Sequence, residues 1–192
     1  MKTTIKNYLL VVVLMLGTLV NYANNNSIDI IEGKKVRLEF ELVKKGHTLS
    51  IKNENGTILY SQVIKESGNY SRMFDLSELK RGNYTTELEK DFEIIIKSFS
   101  VLDGKISFNG EKTIFKPVIR IENNKVLFSK IVFDKEPLKI EIYYENEIIL
   151  LETITESETV LNRIYTVSKE KKGDYKVVIN SNKRSYSQDF SL

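Results

Sequence analysis

With 192 residues, of which 41% are hydrophobic and 29% charged, the chain holds enough apolar side chains for one or two small cores. Its 29 basic and 26 acidic residues are interleaved, which removes the electrostatic case for nucleic acid. The absence of Cys rules out disulfides, a thiolate nucleophile, cysteine metal sites and lipid attachment through a cysteine.

Residues 1–23 have the layout of a secretory signal: Lys2 and Lys6, an apolar run from Tyr8 to Val20, and Ala23 before the expected cleavage point. The run is shorter than the roughly 20 residues a membrane-spanning helix needs, so the reading is an exported protein, periplasmic, cell-surface or extracellular, with no stable membrane span after cleavage. Loss of Lys2 and Lys6 leaves 27 basic against 26 acidic side chains, a nearly neutral mature chain.

The remainder reads as one module written twice at an offset of 91 residues. Gly82, Tyr84, Leu88 and Phe99 fall on Gly173, Tyr175, Ile179 and Phe190, and further back Phe74 falls on Tyr165, Ile58 on Ile149, Ile51 on Ile142, Leu42 on Phe133 and Phe40 on Ile131. The expected division is a β-sandwich over 24–102, a connecting hairpin over 103–117 and a second sandwich over 118–192. In chain order, Val36, Leu38, Phe40 and Leu42 alternate with charged residues as a half-buried strand. Leu49 and Ile51 lead to Asn55-Gly56, a hairpin-turn dipeptide, and Thr57 to Ile64 returns. The second copy has Asn146-Glu147 there, which predicts a looser turn. Tyr70 to Leu76 and Ile164 to Val167 follow as strands, then Gly82-x-Tyr84 and Gly173-x-Tyr175 at the entrance to a late strand. Asn109-Gly110, flanked by Ile106, Phe108, Ile114 and Phe115, predicts a hairpin between the copies. Period two throughout, with abundant Ile and Val, gives an all-β fold class.

The Gly-x-Tyr pairs resemble the tyrosine corner of immunoglobulin- and fibronectin-like sandwiches, where a phenol near the start of strand F bonds back to the chain a few residues upstream. This assigns Gly82, Tyr84, Gly173 and Tyr175 a structural role. Residues 49–101 resemble immunoglobulin-like modules of secreted Bacteroidetes proteins, above all the C-terminal sorting domains of type IX secretion cargo. The likeness is carried by Leu49, Ile51, Asn53, Asn55, Gly56, Leu59, Tyr60 and the string Asp75-Leu76-Ser77-Glu78-Leu79-Lys80-Arg81-Gly82-Asn83-Tyr84. It implies a secreted, flavobacterial-type tandem immunoglobulin/fibronectin-like protein. The terminal copy has Thr166-Val167-Ser168 in place of Asp75-Leu76-Ser77 and ends without basic residues.

Little in the chain speaks for catalysis. The single His, His47, sits beside Gly46 and reads as part of a surface loop; its counterpart is Leu138. Glu87, Glu89 and Asp91 alternate as a solvated sheet face does, without the Asp-rich glycine loop of a calcium site. No metal and no cofactor is expected. Tyr143 and Tyr144 are adjacent on a strand, so one faces the core and the other outward, and the outward ring is the candidate contact residue. The function expected is a non-catalytic binding, adhesion or envelope-associated module for an unknown protein or glycan. The alternatives are a type IX sorting domain or adaptor and, disfavoured for want of nucleophile and base, a small carbohydrate-active hydrolase. Neither ligand nor oligomeric state is legible.

Overall fold

The computed structural model describes residues 28–32, 34–133, 136–155 and 159–192, so the signal-peptide reading lies outside the described residues. The described chain is entirely β-structure. Its first part contains β1 (Ile28–Glu32), β2 (Lys35–Val43), β3 (Thr48–Asn53), β4 (Ile58–Val63), β5 (Gly68–Asp75), β6 (Gly82–Glu89), β7 (Glu93–Leu102) and β8 (Lys105–Phe115). The second contains β9 (Val118–Glu122), β10 (Lys125–Ile131), β11 (Leu138–Tyr144), β12 (Glu147–Ile154), β13 (Val160–Thr166), β14 (Asp174–Ser181) and β15 (Arg184–Ser191).

These strands form two immunoglobulin/fibronectin-like sandwiches in tandem. In the first, a three-stranded sheet ordered β1-β2-β5 faces a five-stranded sheet ordered β4-β3-β6-β7-β8; in the second, β13-β10-β9 faces β12-β11-β14-β15. Every pairing is antiparallel. The fourth strand pairs with the third, so it belongs to the sheet of the late strands and not to that of the first two, unlike the constant-type immunoglobulin arrangement. Alternate inward residues build two separate cores, one around Leu38, Phe40, Leu49, Ile51, Leu88 and Phe99, the other around Val126, Phe128, Ile140, Ile142, Val177 and Ile179. Each fully buried aliphatic side chain contributes about 1.5–3 kcal/mol, and with no cysteine these cores carry the stability.

Four local expectations change. Leu42 does not continue the inward row: the pairing of β2 with β5 shifts between Phe40 and Val43, Leu42 takes φ 53° and is 75% exposed, and Val43 fills the inward place. The repeat slips by one residue in two strands. Phe40 lies opposite Tyr70 while Lys130, not Ile131, lies opposite Leu161; likewise Ile58 corresponds to Ile148, since they pair with Lys52 and Tyr143. A one-residue slip exchanges the faces of a strand, so Ile131 and Phe133 point outward where the gapless match put them inside.

The third change concerns the turn before β12. Glu145 and Asn146 both have positive φ, 48° and 71°, and Tyr144 pairs directly with Glu147: this is a two-residue turn of the primed kind, tighter than its counterpart. In the first copy Gly56 takes φ 79° and Asn53 Oδ1 accepts from the backbone N–H groups of Asn55 and Thr57, within a longer loop. The shorter loop accounts for the slip in β12. Fourth, Asn109-Gly110 is no turn. β8 runs straight through it along β7, with a register shift between Ser98 and Phe99, and the chain reverses instead at Asp103-Gly104, both at positive φ. Among the described residues β8 has no equivalent in the second sandwich.

Only Lys116 and Pro117 separate β8 from β9. Phe115 meets Phe133 edge to face at 5.7 Å, and Arg184 Nη2 lies 2.7 Å from Glu87 Oε2, so the two sandwiches touch through an aromatic and an ionic contact.

Candidate functional site

The two corners are built alike. Tyr84 Oη donates to the Lys80 carbonyl and Tyr175 Oη to the Lys171 carbonyl, each at 2.8 Å and four residues upstream. Their rings stack on Phe99 and Phe190, with centroids 5.4 and 5.0 Å apart. The phenol thereby covers the crossing between sheets with its ring and satisfies a backbone oxygen with its hydroxyl. The glycines differ. A Cβ on Gly82 would find ordinary contact with the Tyr84 ring, whereas Gly173 has φ 146° and a Cβ there would collide with the Glu145 carboxylate. The Asp75 string is also explained locally: Asp75 Oδ1 accepts from the Ser77 N–H at 2.9 Å, Leu76 is buried, and the Leu79 N–H bonds back to Leu76.

Of the adjacent tyrosines, Tyr144 turns inward. Its ring lies 4.9 Å from that of Tyr175, Lys171 Nζ stands 5.4 Å over it, and its hydroxyl donates to the Lys172 carbonyl at 3.0 Å. Tyr143 is the outward ring, on the same face as Lys139 and Glu141. Lys139 Nζ reaches Glu141 Oε1 at 2.6 Å and holds that carboxyl below its usual range, with Tyr143 and Asn180 adding hydrogen bonds. Tyr143 forms one wall of an open concavity of about 610 Å³, with Glu145, Asn146, Asp174, Lys176 and Asp189 around it. The rim is fixed by the tight turn: Glu145 Oε1 accepts from the Asp174 N–H at 3.0 Å, and Asp174 Oδ1 accepts from the Ser191 hydroxyl at 2.7 Å. The depth of glycine needed at position 173 makes room for the Glu145 carboxylate.

His47 is not in a surface loop: it is 5% exposed, at the inward position that Leu138 fills in the second copy. Nδ1 accepts from the Lys44 N–H at 3.0 Å, which leaves the proton on Nε2, 3.6 Å from Asp91 Oδ1. Burial, opposed by Asp91, holds its pKa below the ordinary value, so the ring is neutral at pH 7. The acidic row is not free in solvent either. Glu87 is bound by Lys52 at 2.6 Å and Arg184 at 2.7 Å, Glu89 by Lys116 at 2.7 Å and Asp91 by Lys44 at 2.9 Å. Burial pushes the Glu87 carboxyl up, but its two cationic donors outweigh that and leave it below the usual range. Among the described residues, no three His, Asp or Glu side chains gather as a metal site, and no helix is long and apolar enough to cross a membrane.

Sequence reasoning missed two buried lysines, Lys97 and Lys130. Lys97 was discoverable, because it interrupts the inward row Ile95, Phe99 and Val101. Lys130 was hidden by the one-residue slip of β10.

No family model and no curated protein matches the chain. Among solved structures it is similar to the BSP domain of a biofilm-associated protein, at 11% identity and TM-score 0.27, covering 84% of this chain and 27% of that one. The human OSCAR ligand-binding domain aligns at 8% identity and TM-score 0.24, covering 85% and 92%, and Drosophila OTK extracellular domains 3–5 at 12% and 0.22, covering 84% and 91%. The chain thus spans about a quarter of the length of the first of these. The sandwich assignment rests on the strand orders and registers of this chain.

Proposed function

We propose that this is an exported, non-catalytic binding module of the adhesion or envelope-associated kind, whose contact face is the outer face of the second sandwich around Tyr143. The observation that carries the reading is the outward Tyr143 ring in a polar concavity braced by a tight turn, while Tyr144 is committed to the core. An aromatic face ringed by hydrogen-bonding groups suits a glycan or a polar protein surface. The side chains that hydrolysis would need are otherwise engaged: the imidazole is buried, and the acidic row is held in ion pairs. The Asp75 to Tyr84 string serves the corner of the first sandwich, so it supports the fold more than a sorting role.

The test is a glycan array together with binding to isolated envelope proteins, run with the wild type, Tyr143→Ala and Tyr144→Phe. Binding that Tyr143→Ala abolishes and Tyr144→Phe preserves supports the reading. Wild-type protein with no signal, or a signal unchanged in Tyr143→Ala, rejects this contact face. Cell fractionation with intact-mass measurement tests export: a mature form beginning near Asn24 outside the cytoplasm is expected, and an uncleaved cytoplasmic chain would contradict it.

A further inference from the structure

Toward the core of the first sandwich β7 presents Ile95, Lys97, Phe99 and Val101, and Lys97 is fully buried among them. Its ammonium crosses to the opposite sheet, 4.8 Å over the Phe40 ring, and has no hydrogen-bond partner. Glu111 lies directly opposite Lys97 on β8, with Oε2 3.6 Å from Nζ. Asp29 of β1 and Glu39 of β2 also act on it through their negative charge. Thr86, facing Lys97 from β6, also has a buried hydroxyl without a partner. Burial lowers the pKa of Lys97 and so favours the neutral, nucleophilic amine. An ammonium left unsolvated beside a carboxylate is costly to keep, and fixed proximity is what makes condensation of the two fast.

We propose that Lys97 and Glu111 become joined by an isopeptide bond. Lys97 Nζ passes a proton to the Glu111 carboxylate 3.6 Å away and, as the neutral amine, adds to Cδ, forming the C–N bond. The C–O bond to the carboxyl hydroxyl then breaks, and that hydroxyl leaves as water with a proton from the nitrogen. No oxidant or other reactant is consumed. The Glu111 side chain is 29% exposed, which gives the departing water a path out. The product replaces a buried charge by a neutral amide and staples β7 to β8 in a chain without cysteine.

The experiment is the intact mass of the purified, folded chain, followed by proteolytic mapping. The expected mass is that of the mature sequence less one water, with a single branched peptide joining Lys97 to Glu111. Lys97→Met and Glu111→Ala should each restore the full mass. Either substitution can unfold the sandwich, so the wild-type digest is decisive alone. Separate linear peptides carrying Lys97 and Glu111, or a water loss mapped to another residue, overturn the proposal.

Discussion

The two sandwiches share a strand plan and differ in where each hides its polar groups. The first buries His47, Thr86 and Lys97 at positions where the second has Leu138, Val177 and Gln188. The second buries Lys130 at the position of Phe40, and there the ammonium is satisfied: Nζ donates to Ser181 Oγ and, at 2.8 Å, to Asn182 Oδ1. Lys97 has an aromatic face and a carboxylate at 3.6 Å instead. The module therefore fixes the inward positions but not the polarity of each: Lys130 finds hydrogen-bond partners in its own copy, whereas Lys97 and Thr86 do not.

The largest expected effects test the shared plan. Leu49→Ala and Ile140→Ala occupy equivalent fully buried positions, and each should cost about 3 kcal/mol in urea denaturation of the full chain; clearly unequal losses would break the equivalence. Next come the corner glycines. Gly173→Ala must adopt φ 146° and displace Glu145, so it should destabilise by about 2 kcal/mol, while Gly82→Ala should stay within about 0.5 kcal/mol of wild type. Equal penalties would show that the glycines are interchangeable after all. Tyr84→Phe removes one hydrogen bond to Lys80 and should cost about 1 kcal/mol, and Tyr175→Phe should cost at least as much, its ring being the more buried.

The smallest effects come from importing residues of one copy into the other. Thr86→Val gives the first core the apolar residue of the second and removes an unpartnered hydroxyl, for a gain of under about 1 kcal/mol. His47→Leu should act mainly through pH. The folded state holds the His47 pKa below 6.5, so the unfolded chain takes up the proton first. Stability is complete above that value and declines as pH falls below it, until the folded pKa is passed. His47→Leu should flatten this slope in denaturation curves measured between pH 7 and 5; an unchanged slope would place the titrating group elsewhere.

Period-two alternation and the Gly-x-Tyr spacing made the sandwich plan readable, because both follow from strand geometry and corner chemistry. Features set by a single residue of register were not readable. The gapless offset concealed the slip in β10 and β12, since apolar residues on both faces of these strands, such as Phe128 and Ile131, match equally well. A glycine-free turn looked loose because Glu and Asn seldom take positive φ in succession, yet Glu145 does so with its carboxylate anchored on Asp174. The concavity beside Tyr143 had no sequence signature: its walls come from β11, β14, β15 and that turn.

For the proposed binding role, the two-residue connection at Lys116-Pro117 sets the terms on which a larger partner is met. Flexible linkers let paired domains search for a second contact at an effective concentration that falls with linker length. Here almost no chain separates the domains, and Phe115 against Phe133 and Glu87 against Arg184 narrow their search further. A partner spanning both sandwiches gains its second contact at little ordering cost, and one whose spacing does not fit gains none. In the proposed binding role the junction acts as a ruler, selecting partners by the distance between their epitopes.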